Sequence, residues 1–300
     1  MGWQFDLGIS SERIGDVQRA QGDLAAALKS YEAKQNIISH LAQADPSDAG
    51  CQHDLSVSYD RVGDVLKAQG NLVEALKSFR GGLAIAERLA QADPGNAGWQ
   101  HDLGAAYDRV GGVLEAQGNL PEALKSYRDA LAIAERLAQA DPGNAGWQRV
   151  LSVSYNKIGD VLAAQSNLPE ALKWFRDGLA IAERLAQADP GNAGWQRDLS
   201  VSYSKIGDML AAQGNLPEAL KSYRDGLAIR DRLAQADPSN ADWQFDLVAS
   251  HWRLAVNGDD APRRFAFIVA ILRKLKAENR LTPAQESWLP EAEAQLAGTR

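Results

Sequence analysis

Four histidines, one cysteine and a large set of carboxylates are the side chains of this 300-residue chain that could do chemistry. Their spacing decides which chemistry is open to them. His53 and His101 hold the same slot 48 residues apart, and His40 and His251 stand alone. Like residues stacked one repeat apart sit about 10 Å from each other, too far to share a metal whose bonds are about 2 Å long. They are expected on the surface. A single cysteine, Cys51, excludes an intramolecular disulfide framework. Glu87, Glu135 and Glu183 each precede an arginine at the same 48-residue step, which reads as a solvated helix face. There is no glycine-rich phosphate loop, Gly-x-Ser-x-Gly elbow or Cys-x-x-Cys pair. An active site needs unlike groups converging at one place, whereas this chain distributes like groups along a line. The expectation is a protein without catalytic residues, metal or cofactor, and not an enzyme.

The elements that position these side chains follow from the period itself. Asp-Pro recurs at Asp45-Pro46, Asp93-Pro94, Asp141-Pro142, Asp189-Pro190 and Asp237-Pro238. A tryptophan recurs at Trp3, Trp99, Trp147, Trp195 and Trp243, and Cys51 fills the missing slot as a small apolar substitute. A fixed period of this kind means one supersecondary unit stacked on copies of itself.

Within the unit from Trp147 to Gly194, Leu151, Tyr155, Ile158 and Leu162 make one apolar stripe of helical period. Leu168, Ala171, Leu172, Phe175, Leu179, Ala182, Leu185 and Ala186 make a second. Ser166-Asn167 breaks them, with Gly22, Gly70, Gly118 and Gly214 in the Ser166 slot elsewhere. Asn167 with Glu170 has the spacing of a capping box, as do Asn71/Glu74, Asn119/Glu122 and Asn215/Glu218. The first unit has Asp23 but Ala26, so its cap is expected to be weaker. Pro169 falls in the first turn, where its missing N–H is harmless. Asp-Pro then ends the second helix, because the residue before proline is pushed out of the helical region. Each repeat is expected to be a helical hairpin.

Tyr155, Ile158-Gly159, Leu162, Ala171 and Phe175 resemble the signature of the tetratricopeptide repeat. So do Tyr59, Gly63, Ala75 and Phe79, then Tyr107, Gly111, Ala123 and Tyr127, then Tyr203, Gly207, Ala219 and Tyr223. In the first repeat Ser11 replaces the leading aromatic while Gly15, Ala27 and Tyr31 are kept. The likeness covers roughly residues 3–257. The family unit has about 34 residues and this one has 48, so each helix gains about seven, close to two turns. That keeps the apolar stripe in phase and resembles the long-helix arrays of kinesin-light-chain type and their bacterial relatives. The resemblance implies an all-α, right-handed superhelical solenoid of antiparallel hairpins. Five repeats and the first helix of a sixth should fill residues 1–258, starting near residues 3, 51, 99, 147, 195 and 243. A degenerate sixth-repeat helix beginning at Pro262 and a capping helix with Trp288, Leu289 and Leu296 should fill residues 259–300. In this reading Gly159 and Ala171 face each other across the hairpin, and Tyr155 and Phe175 fill the space between hairpins. Trp288 belongs to the cap, with a dimer contact as the alternative.

The resemblance also implies a concave groove lined by the first helix of each repeat. The candidate partner-binding residues are Glu12, Asp16 and Arg19; Asp60, Asp64 and Lys67; Asp108 and Glu115; Asn156 and Asp160; Ser204 and Asp208. Ile9, Val57, Ala105, Gly112, Val153, Ala163, Val201 and Ala211 line the same stripe. The first three repeats contribute six acids and two bases, and the last two contribute two acids and no base. Some members of the family clamp a terminal carboxylate with Lys, Asn and Arg; the corresponding positions here are mostly Asp or Glu, so that clamp is not expected. Two readings stand side by side. Either the groove prefers a neutral or basic segment, or these acids pair with the basic run Arg13, Arg61, Arg109, Lys157 and Lys205.

Composition narrows the partner class. The chain is 45% hydrophobic and 24% charged, with a net charge of −7 from 32 basic and 39 acidic residues spread through every repeat. An acidic chain without a basic stripe is a poor nucleic-acid or anionic-membrane ligand. No apolar run approaches the roughly 18 residues of a membrane span, and without a charged n-region or an h-region at the N-terminus no secretory signal is expected. Gly2 continues the repeat (Gly50, Gly98, Gly146, Gly194), and Asp6 breaks a myristoylation motif. The chain starts mid-unit, as expected of a piece of a longer array. The expected function is a non-catalytic, cytoplasmic protein-interaction scaffold holding a peptide or helix of a partner, monomeric or weakly homo-oligomeric. The alternatives are a regulatory or sensor segment of a larger multidomain protein, or a self-associating structural array.

Overall fold

The computed structural model describes residues 2–299. Its elements are all helical: α1 (Gly2–Ala20), α2 (Leu24–Ala44), α3 (Ala49–Ala68), α4 (Leu72–Ala92), α5 (Ala97–Ala116), α6 (Leu120–Ala140) and α7 (Ala145–Ala164), followed by α8 (Leu168–Ala188), α9 (Ala193–Ala212), α10 (Leu216–Ala236), α11 (Ala241–Val256), α12 (Ala261–Ala277), α13 (Pro283–Glu286) and α14 (Trp288–Gly298). There is no strand among the described residues. The fold is an all-α solenoid of tandem hairpins, with first helices of 19 or 20 residues and second helices of 21 through α10. These lengths give rods of about 30 Å. The chain forms two compact units, residues 1–161 and 162–300.

Both loops of the repeat are built from backbone hydrogen bonds, and here the expected capping box fails. Gly70 adopts φ +78°. The Asn71 N–H then bonds back to the Leu66 carbonyl at 2.9 Å, closing the end of α3 in a Schellman-type turn. That N–H is the donor a Glu74 side chain would need, so the box has no second half. Asn71, Asn119, Asn167 and Asn215 cap nothing with their side chains, and Asn167 instead donates to Glu170. Asp23, expected to be the weak one, does cap, accepting from the Ala26 N–H at 3.0 Å. The working caps lie after Asp-Pro. Asp48, Asn96, Asn144, Asn192 and Asn240 accept from the N–H three residues on, at 3.0–3.1 Å.

Consecutive hairpins are pinned by a glutamine in each first helix. Gln52 Nε2 donates to the Ala42 carbonyl and Gln100 Nε2 to Ala90, each at 3.1 Å. Both acceptors belong to the last turn of the preceding helix, where carbonyls have no intrahelical partner.

The glycines of α1, α3, α5 and α9 face the aromatic of the second helix, not the alanine. A methyl group at Gly63 would lie 2.6 Å from the Phe79 ring, and the pairs Gly15–Tyr31, Gly111–Tyr127 and Gly207–Tyr223 repeat the contact. The ring lies flat on the bare backbone of its own hairpin. This aromatic therefore closes the hairpin itself, and Tyr31, Phe79 and Phe175 are 1% exposed.

In the second unit, α11, α12 and α14 enclose Val248, Phe265, Ile268, Leu272, Leu289 and Ala292. Trp288 packs edge-on against Phe245 and Trp252, so its ring is spent on this internal cluster. Thr282 and Gln285 form a true capping box for α13.

Candidate functional site

The repeat period predicts that residues at one register of α1, α3, α5 and α7 fall on one face, and side-chain pairing across them bears this out. Glu12 accepts from Arg61 Nε at 3.3 Å, Asp60 pairs with Arg109 at 3.2 Å, and Asp108 with Lys157 at 2.8 Å. Each partner is 49 residues away, one repeat plus one position, so every base grips the carboxylate of the hairpin before it. In the second unit Arg253 reaches back to Asp208 (3.0 Å), while Arg197, at the His101 slot, reaches forward to Asp246 of the next hairpin (2.8 Å). The ion-pair ladder therefore exists for these residues. With the bases about a third to a half exposed, each rung is worth about 0–1 kcal/mol.

The remaining predicted residues divide by what the second helix offers. Tyr31 donates to Asp16 (2.7 Å) and Tyr223 to Asp208 (2.8 Å). Burial, reinforced by the neighbouring carboxylate, pushes the Tyr31 phenol up to about 12. In the third repeat Gly112 occupies the aspartate slot, and Tyr127 donates one turn further on, to Glu115 (2.7 Å). In the second repeat the ring is Phe79, which has no hydroxyl, and Asp64 has neither side-chain hydrogen bond nor ion pair among the described residues. Asp160 is half-buried, and Arg19 and Lys67 are exposed, the Lys67 ammonium lying over Gly112. Ser204 is buried and spends its hydroxyl on the Ser200 carbonyl inside α9.

Sequence reasoning missed Lys34, which fills the slot of Gly82 and Ala130 and is nearly buried against Glu12 at 2.5 Å. It also missed Asp102, which both histidines share. His53 Nε2 stands 3.0 Å from Asp102 Oδ2 and His101 Nδ1 stands 3.6 Å from Oδ1. The His101 ring also packs on Trp147, with centroids 5.3 Å apart. No group of three or more metal-ligating side chains converges among the described residues. Cys51 packs beside Ile38, and burial pushes its thiol up, away from reactivity.

Two features of this face point outward from the protein's own bonding. Asp60 Oδ1, Asp108 Oδ1 and Asn156 Oδ1, one register on α3, α5 and α7, are buried acceptor atoms with no hydrogen bond. Beside Asp108 lies a cavity of about 510 Å³ lined by His101, Gly104, Ala105, Ile133, Trp147 and Val153 among others. Gly104-Ala105 widens it, standing where three other repeats carry Ser56-Val57, Ser152-Val153 and Ser200-Val201 and the first carries Gly8-Ile9. A hydroxymethyl and two methyls are missing there.

Burial pushes the Asp60 carboxyl up to about 6, against the pull of Arg109. The folded chain then holds this proton more tightly than the unfolded chain, so ionisation subtracts stability as pH rises from about 4 to about 6. Asp60→Asn, the amide already present at Asn156, is expected to raise stability by roughly 1–3 kcal/mol above pH 6.5 and by nothing below about pH 4. Urea unfolding of both proteins across that range checks it, and a pH-independent difference would refute the buried-carboxylate account.

A family model described as tetratricopeptide repeat matches residues 103–142, 151–190 and 199–239. No curated protein matches the sequence. Among solved structures, BtubC (BKLC) from P. vanneervenii aligns with a TM-score of 0.60 at 18% identity, covering 87% of this chain and 94% of that one. A Signal Transduction ATPase with Numerous Domains (STAND) protein with a tetratricopeptide repeat sensor, from Pyrococcus horikoshii, aligns at 0.60 and 17% identity. There 97% of this chain covers 38% of the other. RapI in its apo form aligns at 0.57 and 14%, over 95% of this chain and 74% of that one. At these identities the likeness is one of fold.

Proposed function

Because the chain is a tetratricopeptide-repeat array, we propose that it is a non-catalytic protein-interaction scaffold whose first-helix face holds a peptide or helix of a partner protein. The observation that carries this reading is the cavity at Gly104, Ala105 and Trp147 beside the unfilled oxygen of Asp108. A volume of this size with aromatic and aliphatic walls accepts one large apolar side chain. Burying such a side chain contributes about 1.5–3 kcal/mol. The ladder pairs Glu12, Asp60 and Asp108 with cations, while Asp16, Asp64 and Glu115 have no ion pair among the described residues. Those three support a neutral or basic segment over an acidic one. Glu12, Asp16, Asp60, Asp64, Asp108, Glu115 and Asn156 are the proposed contact residues in the first unit.

The test restores the repeat's own residues. In Gly104→Ser/Ala105→Val the cavity is narrowed at its wall by side chains that neighbouring repeats already carry. A Cβ at Gly104 would meet Ile133 at an ordinary 3.5 Å, so the fold is expected to be unchanged. On a peptide array the parent protein should select peptides with an aromatic or large aliphatic residue near Lys or Arg. The narrowed variant should bind them about tenfold or more weakly. Equal binding by both proteins would remove the cavity from the proposal, and selection of acidic peptides would reverse the charge preference.

A further inference from the structure

Where α10, α11 and α12 meet, the common pattern of the repeat is broken at three positions at once. Elsewhere a glutamate of the second helix accepts from the tyrosine 20 residues on: Tyr107 donates to Glu87 and Tyr203 to Glu183, each at 2.8 Å. The next copy of this pair is Asp231 and His251. The shorter acid and the smaller ring make no hydrogen bond to each other. Phe267 follows the buried Phe265 by two residues, as Asp225 follows Tyr223. An aspartate that acts on Tyr203 thereby gives way to a ring against His251, with centroids 4.1 Å apart.

At this place lies a cavity of about 540 Å³ lined by Asp231, His251, Asp260, Arg263, Arg264 and Phe267, all within the second unit. Arg264 is spent on the fold. Its Nη2 pairs with Asp259 Oδ2, its Nε donates to the Asp259 carbonyl at 2.8 Å, and its Nη1 stands 3.1 Å from His251 Nδ1. A guanidinium can only donate, so Nδ1 accepts and the ring hydrogen sits on Nε2, which has no partner among the described residues. Burial, with Arg264 and Arg263 nearby, pushes the His251 imidazole down to about 4. The ring is therefore neutral at pH 7 and keeps that tautomer. Burial pushes the Asp231 carboxyl up, as expected of a carboxylate short of donors. Asp231 has neither a side-chain hydrogen bond nor an ion pair among the described residues. Asp260 and Arg263 are exposed and have no ion pair among them either.

The geometry points to a binding site for a small zwitterion with an apolar body, of the class of free amino acids with an aromatic or large aliphatic side chain. Two carboxylates without a cation and one guanidinium without an anion are satisfied by a single ligand only if it carries both charges. Asp231 takes the ligand's ammonium and Arg263 its carboxylate, with the His251 Nε2–H as a further donor. The apolar body lies on the Phe267 ring. The volume falls within the range of small-molecule sites, and a few polar groups converging on an apolar wall are their usual make-up. The site is independent of the first-helix face of the other unit.

Isothermal titration of the full chain with L-phenylalanine tests the site, and binding is expected with a Kd on the order of 0.1–1 mM. N-acetyl-L-phenylalanine lacks the cation and L-phenylalanine methyl ester lacks the anion. Each should bind about tenfold or more weakly, the loss of one charge-assisted contact. Asp231→Asn and Arg263→Gln should each weaken L-phenylalanine by a similar factor, and Arg263→Gln should leave the ester's affinity unchanged. Asp231→Glu/His251→Tyr restores the pair that other repeats carry and should abolish binding. Arg263 is exposed and Asp231→Asn keeps the shape of the side chain, so circular dichroism should be the same as for the parent in both. Absence of binding, equal affinity for either blocked form, or indifference to Arg263→Gln would each overturn the inference.

Discussion

Phe79→Ala is expected to destabilise the array by about 3–5 kcal/mol, the cost of emptying a fully buried aromatic site. The size of that loss is less informative than its coupling to Gly63. A methyl at Gly63 would stand 2.6–2.8 Å from three atoms of the Phe79 ring. Gly63→Ala alone should therefore cost roughly 1–3 kcal/mol by overpacking, although alanine is the better helix former by about 1 kcal/mol. Once the ring is gone the methyl enters empty space and only the propensity gain survives. Gly63→Ala should then stabilise the Phe79→Ala protein by about 0.5–1 kcal/mol. The change of sign is the result to measure, by urea unfolding of the four proteins of the cycle. Equal costs of Gly63→Ala in both backgrounds would show that the ring does not rest on that backbone. The position is interior to the first unit, and neighbouring hairpins couple through their interfaces. The unfolding curve of Phe79→Ala should therefore broaden as well as shift.

The hairpin architecture was legible because its signals are local and repeated. Asp-Pro corners, helical stripes and the break before Asn71 or Asn167 each report on a few neighbouring residues, and several copies average out accident. Contacts across the hairpin were less legible. The Gly63–Phe79 pairing needs the rotation of one helix against the other, which two stripes leave free by a turn. The Asn71/Glu74 spacing fits a capping box, but the Asn71 N–H is taken by Leu66 across the corner, a competition that spacing does not display. The caps at Asn96 and Asn144 lay in plain view after each Asp-Pro and needed only the same rule applied to the other loop.

The site was legible in outline and misleading in charge. Listing Glu12, Asp60 and Asp108 along one face makes it look strongly acidic. The register of one repeat plus one residue delivers Arg61, Arg109 and Lys157 to them, and Lys34 comes from the second helix. What distinguishes individual repeats is departure from their common pattern. Gly104-Ala105 opens a cavity, and Phe79 leaves Asp64 without a donor. In the second unit Arg230 replaces the alanine of Ala86 and Ala134. It is 5% exposed, held by Ser200 and Ser250 hydroxyls, and burial pushes its guanidinium down to about 10.

The same logic makes Glu12 the most consequential single carboxylate of the first hairpin. It is gripped by two cations, Lys34 at 2.5 Å and Arg61 at 3.3 Å, and the Lys34 side chain is only 8% exposed. Removing one partner of a buried pair strands the other without compensation, which costs about 3–5 kcal/mol, whereas removing both is close to neutral. Glu12→Ala should therefore unfold α1 and α2 ahead of the rest, visible as lost amide-exchange protection confined to residues 2–44. Lys34→Ala restores the residue that Ala130 already places in the equivalent slot. In that background Glu12→Ala should cost less than about 1 kcal/mol, because Arg61 is a third exposed and can return to water. Equal losses in both backgrounds would mean that Glu12 acts through Arg61 and the ladder, and that the buried Lys34 pair contributes nothing of its own.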